Sequence, residues 1–230
     1  FMSTNLPPVF TFYSHTKQIT NGDEWLNSLK IDCRIFSNLY SSEVIIDSKT
    51  YSSTETYFQQ YKYSEGDKNF LCALSSMGDV AAFGQRRLKM ARKHINLIEQ
   101  LKEEGKAIPL TPGGEEYKVK DKASPKLAIE DWDIQKIPVM YTALHAKFNQ
   151  HENLKEMLLN TGDSWLVEHT KNDKQWADGL SGEGMNYLGK LLMKLRDELK
   201  ESKEYSHSSL DEIKTTRKFD YDYLKKPMDQ

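Results

Sequence analysis

Cysteine is nearly absent. Cys33 and Cys72 are the only two in 230 residues, and they stand in unlike settings. That excludes a disulfide framework and any C-x-x-C redox or zinc motif, and it points to a reducing, intracellular, cytoplasmic setting. Long apolar runs are missing too. No stretch approaches the roughly 18 residues that a membrane span needs. The start, Phe1-Met2-Ser3, shows no charged segment leading into an apolar one, so neither a membrane anchor nor a signal peptide is expected. The histidines (His15, His94, His145, His151, His169, His207) show no HExxH or paired-ligand spacing, so no metal and no cofactor are expected. There is no G-x-S-x-G elbow, and neither thiol has local support as a nucleophile. Gly184 to Lys190 fits G-x4-G-K, but Leu191 stands where a phosphate loop needs Ser or Thr, and no apolar strand leads in. A helix start is the better reading there. Net charge is only -2, so no global field attracts nucleic acid, and any such contact must come from a local patch.

What is present suits a helix-rich α+β fold. Apolar residues make up 38% and charged residues 29%, enough for a substantial core yet polar enough that part of the chain sits outside it. Val9 to Tyr13 reads as an edge strand. Asn21-Gly22-Asp23 marks a turn, with a short helix over Glu24 to Leu29. Cys33 to Leu39 and Val44 to Ile46 read as extended, followed by a hairpin turn at Asp47-Ser48-Lys49-Thr50. Ser53 is a good N-cap for a helix from Thr54 to Tyr63. Gly66-Asp67 is expected to break that helix. Further helices are expected over Lys68 to Leu74, Ser76 to Ala82 and Arg86 to Glu104. A loop follows around Thr111-Pro112-Gly113-Gly114, extending to Lys126. Ile137, Met140, Leu144 and Phe148 recur at helical spacing and predict a helix over 136–150. Asn153 to Asn160 and Asn186 to Leu199 read as helices, with a strand from Ser164 to Thr170 between them. Residues 201–230 are polar and aperiodic, and are expected to form a flexible tail.

Four blocks, in order, carry a family resemblance. They are Phe36-Ser37-Asn38-Leu39-Tyr40; Tyr51 to Lys62 (YSSTETYFQQYK); Asp131-Trp132-Asp133 with Val139-Met140, Ala143-Leu144 and Ala146-Lys147-Phe148; and Leu158 to Asp163 with Leu166-Val167-Glu168, Asp173, Trp176, Gly179 and the run from Gly184 to Met193. Together, over about residues 9–200, the chain resembles the NADAR family of N-glycosidases. The resemblance implies a small-sheet α+β catalytic domain over residues 1–200. Three departures stand out. Thr56 occupies a position where the family often has His, so it is no proton carrier. Ala177 replaces a common Gly. Residues 93–128 read as an insertion serving as a lid, a substrate-reading element or decoration.

Glu55, Gln59 and Lys62 fall at i, i+4 and i+7, on one helix face. Spacing alone is equally that of a solvated stripe; the resemblance makes it the candidate site. Breaking an N-glycosidic bond builds positive charge on the sugar as the base departs. A carboxylate can stabilise that charge, attack it or activate water, and a second group must serve the leaving base. Glu55 is the expected carboxylate. Lys62 either steadies leaving-group charge or bonds the sugar through its amine. Trp132 and Trp176 would stack on a base or pack in the core. Asp178 would hold ribose hydroxyls. Ser37 and Asn38 would bond ribose or base, or serve a turn. Arg86, Arg87, Lys89, Arg92 and Lys93 form a basic cluster that would draw phosphates or merely line a solvated helix.

The resemblance implies an ADP-ribose-like or ribosyl-phosphate substrate. The family's activities include removing ADP-ribose from guanine and splitting ribosylated intermediates of riboflavin synthesis. The basic cluster and the insertion favour ADP-ribosylated guanine, as a nucleoside or in DNA or RNA. The rivals are the riboflavin-intermediate glycosidase, a non-catalytic ADP-ribose or NAD binder, and a plain interaction domain.

Overall fold

In a computed structural model the described residues are 9–13, 28, 31–201, 210, 213 and 214. The turn at Asn21-Gly22-Asp23, the helix over Glu24 to Leu29 apart from one residue, and nearly all of the tail lie outside them. The described elements are helix-rich with four short strands, an α+β fold. The chain divides into two compact units, Phe1–Tyr40 with Leu144–Gln230, and Ser41–Ala143.

In the first unit, β1 (Val9–Phe12) pairs in parallel with β4 (Trp165–Glu168). Parallel strands need a crossover, and here nearly the whole chain supplies it. Phe10, Phe12, Phe36 and Phe148 are buried, with the Phe10 and Phe36 rings edge to face at 5.2 Å. In this two-stranded sheet β1 is an outer strand, as expected, yet all four of its residues are buried. The helix α7 (Tyr187–Glu201) packs on β4, burying Leu188, Leu191, Leu192 and Leu195. A Cβ at Gly189 would sit 2.0 Å from the Leu166 carbonyl oxygen, so only glycine permits this approach. Arg196 on α7 is buried and donates to Thr161 Oγ1 (2.9 Å) and the Ser164 carbonyl (2.8 Å), just beyond α6 (Glu152–Asn160).

The segment read as extended from Cys33 to Leu39 is instead a 3₁₀ turn over Cys33–Phe36. Asp32 caps it, its carboxylate accepting the Arg34 backbone N–H at 3.1 Å. A cap four residues from an aromatic overrides the β-propensity of Ile and Phe.

The second unit opens with a hairpin, β2 (Val44–Ile46) against β3 (Lys49–Tyr51), turned by Asp47 and Ser48 at φ 49° and 62°. Both residues in the left-handed region make the tight turn that fits strand twist. Helices α1 (Thr54–Gln60), α2 (Glu65–Ala73), α3 (Met77–Gly84) and α4 (Arg92–Glu103) follow. Gly66 does not break a helix; it lies inside α2. Its missing Cβ would meet the Ile108 carbonyl oxygen at 2.1 Å, so the glycine serves close packing. The helix expected from Arg86 begins only at Arg92. Residues 88–90 run extended and bond to 120–123 instead: Met90 N to Asp121 O, Lys120 N to Met90 O, Ala123 N to Leu88 O, each 2.8 Å. The segment read as an insertion is built into this unit's core. Its Ile98, Leu101, Tyr117 and Ala123 pack with Phe70, Leu71, Val80 and Phe83.

The long helix α5 (Trp132–Gln150) starts four residues before the expected 136, and its residues fall in both units. Among the described residues no helix is long and apolar enough to cross a membrane.

Candidate active site

Ser53 sets the site's geometry. Its extended backbone and its hydroxyl, accepting the Thr56 N–H at 3.1 Å, start α1. Thr56 Oγ1 joins the hydroxyls of Ser52 and Ser53, so this side chain serves the cap. All seven residues of α1 are buried. The face carrying Glu55 and Gln59 is therefore covered, which an ordinary polar stripe is not.

Glu55 is 6% exposed and Gln59 3%. Gln59 Nε2 donates to Glu55 Oε1 at 2.7 Å. Glu55 also lies in the first turn, where the positive end of the helix favours an anion. With its amide nitrogen committed, Gln59 turns its oxygen towards Gly84. A Cβ there would fall 2.1 Å from Gln59 Oε1, and that buried oxygen has no hydrogen-bond partner among the described residues. It is an acceptor held ready for a donor.

The helix ends at Gln60, but the chain keeps turning, with the Lys62 N–H bonded to the Gln59 carbonyl at 3.3 Å. Lys62 is therefore delivered near the same face. It is 9% exposed. Its Nζ donates to the Gly84 carbonyl at 3.3 Å and lies 5.4 Å from the ring centres of both Phe58 and Trp132. Burial pulls the amine's pKa down to about 8; Glu55 opposes the fall and Arg86 adds to it. The Tyr63 hydroxyl donates to the same Gly84 carbonyl at 2.7 Å and is in turn reached by the Arg86 guanidinium. Arg86 is exposed and sits at φ 57°, a costly conformation for a residue with a side chain. Trp132 is half-buried, its ring 4.9 Å from Phe58. Five sequence candidates, Glu55, Gln59, Lys62, Arg86 and Trp132, thus converge within the second unit.

The remaining candidates lie in the first unit. Ser37 is buried, and its hydroxyl accepts the Leu39 N–H at 3.2 Å, which is turn chemistry. Asn38 follows it, half-buried. Asp178 is wholly buried, and its carboxylate serves the chain itself. Oδ1 accepts from the backbone N–H groups of Thr170 (3.2 Å) and Leu180 (2.9 Å), and Oδ2 bonds His169 Nδ1. Those bonds shape the loop and orient His169. Trp176 is half-buried and edge-on to Tyr187 at 6.0 Å. Among the described residues no group of three or more His, Cys, Asp or Glu could hold a metal ion.

Lys147 is the residue sequence reasoning passed over. It is fully buried, donates to the carbonyls of Ile35 and Ser37, and lies 5.2 Å from the Tyr40 ring. Burial alone lowers its pKa to about 7. A signal was available: Lys147 stands at i+3 from Leu144 and i+7 from Met140, in the apolar stripe of α5. It pins the Ser37-Asn38 turn.

Comparison with known families and structures finds relatives over most of the chain. The NADAR domain matches residues 12–200. The N-glycosidase YbiA of Escherichia coli is 34% identical over 165 residues, covering 71% of this chain and 80% of that protein. An N-glycosidase of Nostoc punctiforme is 43% identical over 70 residues, 30% of this chain and 45% of its own. A chloroplastic riboflavin biosynthesis protein PYRR of Zea mays is 46% identical over 82 residues, 36% of this chain and 13% of that one. The NMR structure of E. coli YbiA superimposes with a TM-score of 0.56 at 28% identity, covering 87% of this chain and 90% of that one. N-glycosidase activity thus runs among its relatives, and the chain belongs to the NADAR domain family.

Proposed function

We propose that this protein is an N-glycosidase that hydrolyses a ribose–base bond, removing ADP-ribose from ADP-ribosylated guanine. The observation that carries the reading is a buried carboxylate, Glu55, sharing a covered face with an amine whose basicity burial has reduced. Burying charges is costly unless they are used or paired. At a pKa of about 8, roughly a tenth of Lys62 is neutral at pH 7. An ordinary lysine offers a few parts in ten thousand.

The chemistry runs in one of two ways from the same residues. Glu55 stabilises the developing oxocarbenium charge or takes a proton from water, while the Lys62 ammonium favours electrons collecting on the leaving base. Alternatively, neutral Lys62 bonds the anomeric carbon as the base leaves with a proton, and water then releases the sugar and restores the amine. Trp132 offers a half-open ring beside the amine for a planar group, and Arg86 an exposed guanidinium for phosphate.

A second reading, hydrolysis of a ribosylated riboflavin-pathway intermediate, is favoured by the name of the PYRR relative. One experiment separates them. Incubate the protein with ADP-ribosylated guanosine and, in parallel, with a ribosylaminopyrimidine phosphate, and follow the products by chromatography. Free ADP-ribose from the first supports the proposal. Release from the second alone moves the assignment to the rival. No product from either, with ADP-ribose still raising the melting temperature, identifies a non-catalytic binder.

A further inference from the structure

Lys62 and Tyr63 compete for one carbonyl. Gly84 is the last residue of α3, and the carbonyls just before it are met by backbone. Phe83 accepts the N–H groups of Gln85 and Arg86, Ala82 those of Arg87 and Leu88, and Ala81 that of Gln85. Among the described residues the Gly84 carbonyl meets side chains alone, the Tyr63 hydroxyl at 2.7 Å and Lys62 Nζ at 3.3 Å. A carbonyl left over at a helix C-terminus, with the negative end of the helix behind it, is a place where an ammonium settles. Lys62 is barely settled there. Its one acceptor among the described residues stands at the long end of hydrogen-bond range, and an ammonium has three N–H groups to place.

Tyr63 supplies the reason. It is 2% exposed, with its ring edge-on to Phe83 at 6.1 Å, so its hydroxyl is fixed on the carbonyl. The Arg86 guanidinium bonds the phenol oxygen, which polarises the O–H and strengthens its hold. The backbone of the two residues is anchored as well. The Ala128 N–H bonds the Lys62 carbonyl at 2.9 Å, and Tyr63 bridges to Leu127. The charged groups acting on this cluster are Glu55 on α1 and Arg86 beyond α3, both felt by Lys62, and Asp67 on α2, felt with Arg86 by Tyr63. We propose that Tyr63 is a positioning residue for Lys62: by holding the Gly84 carbonyl it keeps the amine from settling there and leaves it free to turn to the substrate. What the amine then does rests on the N-glycosidase reading; how it is held does not. Without the hydroxyl the carbonyl is left to the ammonium, the charged form gains a full hydrogen bond, and Lys62 gives up its proton less readily.

The test is Tyr63→Phe, which keeps the ring and removes only the hydroxyl. Lys62 is titrated by NMR in the full chain, isotope-labelled at lysine Cε, its signal assigned by its loss in Lys62→Met. The wild-type midpoint is about 8. In Tyr63→Phe it should rise enough to cut the neutral fraction at pH 7 about tenfold. The pH profile of ADP-ribosylated guanosine turnover should move in the same direction, whichever of the two routes the amine serves. Tyr117→Phe removes a buried hydroxyl from the same core, one that accepts the Ser124 N–H at 3.1 Å, and should leave the midpoint in place. A fluorotyrosine at position 63, a stronger donor of nearly the same shape, should lower the midpoint, and it serves as the test where phenylalanine unfolds the chain. A folded Tyr63→Phe whose midpoint stays or falls overturns the proposal, as does an equal rise in Tyr117→Phe, which would mark a general loosening of the core. A midpoint that moves as stated in a protein without turnover of ADP-ribosylated guanosine keeps the place of Tyr63 and removes the glycosidase reading.

Discussion

Replacing Lys62 with methionine should make the protein more stable and inactive. Burial holds the Lys62 ammonium at a pKa of about 8 instead of 10.5. At about 1.4 kcal/mol per pKa unit, the folded state forfeits roughly 3 kcal/mol at pH 7 by keeping that charge. The sign follows from the direction of the shift. The folded-state pKa lies below the unfolded one, so the penalty is full below pH 8. It shrinks between about 8 and 10.5 and is absent above. Methionine keeps the length and apolar stem while removing the charge. It leaves no hydrogen-bond acceptor unmet, because the Gly84 carbonyl still accepts from the Tyr63 hydroxyl, and the lost attraction to Glu55 is already contained in the net shift. For a chain of this size, about 3 kcal/mol corresponds to a rise in melting temperature of roughly 5–10 °C. Differential scanning fluorimetry of both proteins from pH 6 to 10.5 reads it directly. The gap should be widest at pH 6–7 and close towards pH 10.5. If Lys62→Met melts below the wild type at pH 7, or the gap ignores pH, the lysine is a structural asset and the trade of stability for chemistry is wrong.

Three other perturbations follow from neighbouring features. Asp67 is buried with its pKa pushed up to about 6 against a usual 3.8, so its charge weakens the fold above pH 6. Asp67→Asn should gain about 3 kcal/mol at pH 7 and little at pH 4, read from urea unfolding at the two pH values. Gly84→Ala drives a methyl to within 2.1 Å of Gln59 Oε1; it should cost about 1–3 kcal/mol and cut turnover by dislodging Gln59 from Glu55, and wild-type rates would refute this. His94 accepts the Ala91 N–H at 3.1 Å and bonds Asp79, tying the start of α4 to α3. His94→Ala should cost about 1–2 kcal/mol in thermal unfolding while leaving turnover intact.

Local chemistry was legible where a side chain decides the backbone within a few residues. Ser53 and Ser76 start α1 and α3 as their hydroxyls dictate, accepting from Thr56 and Asp79. The leucine stripe of α7 lies buried as its period requires. The i, i+4, i+7 spacing of Glu55, Gln59 and Lys62 placed them on one face, although burial of that face could not be read from spacing. What stayed hidden depends on distant residues. Arg86 to Ala91 has helical composition, but Arg86 turns the chain at φ 57° and pairing with 120–123 holds residues 88–90 out of the helix. Gly66 looks like a breaker until Ile108 arrives against it. The place of Lys147 in the apolar stripe of α5 could be read, but not what its amine meets, because its acceptors, Ile35 and Ser37, lie more than a hundred residues earlier. Asp178 looked like a ribose ligand because a Gly-flanked loop hides how many of that loop's own N–H groups it would satisfy.

The most direct test of the buried carboxylate is single-turnover cleavage of ADP-ribosylated guanosine by Glu55→Gln. Glutamine preserves the shape and can still bond Gln59, so binding of ADP-ribose should persist within a few-fold. The rate of base release should fall at least a thousandfold, in line with losing the group that meets the transition-state charge. A folded variant that cleaves within tenfold of the wild type would show that the glycosidic bond is broken by something other than Glu55.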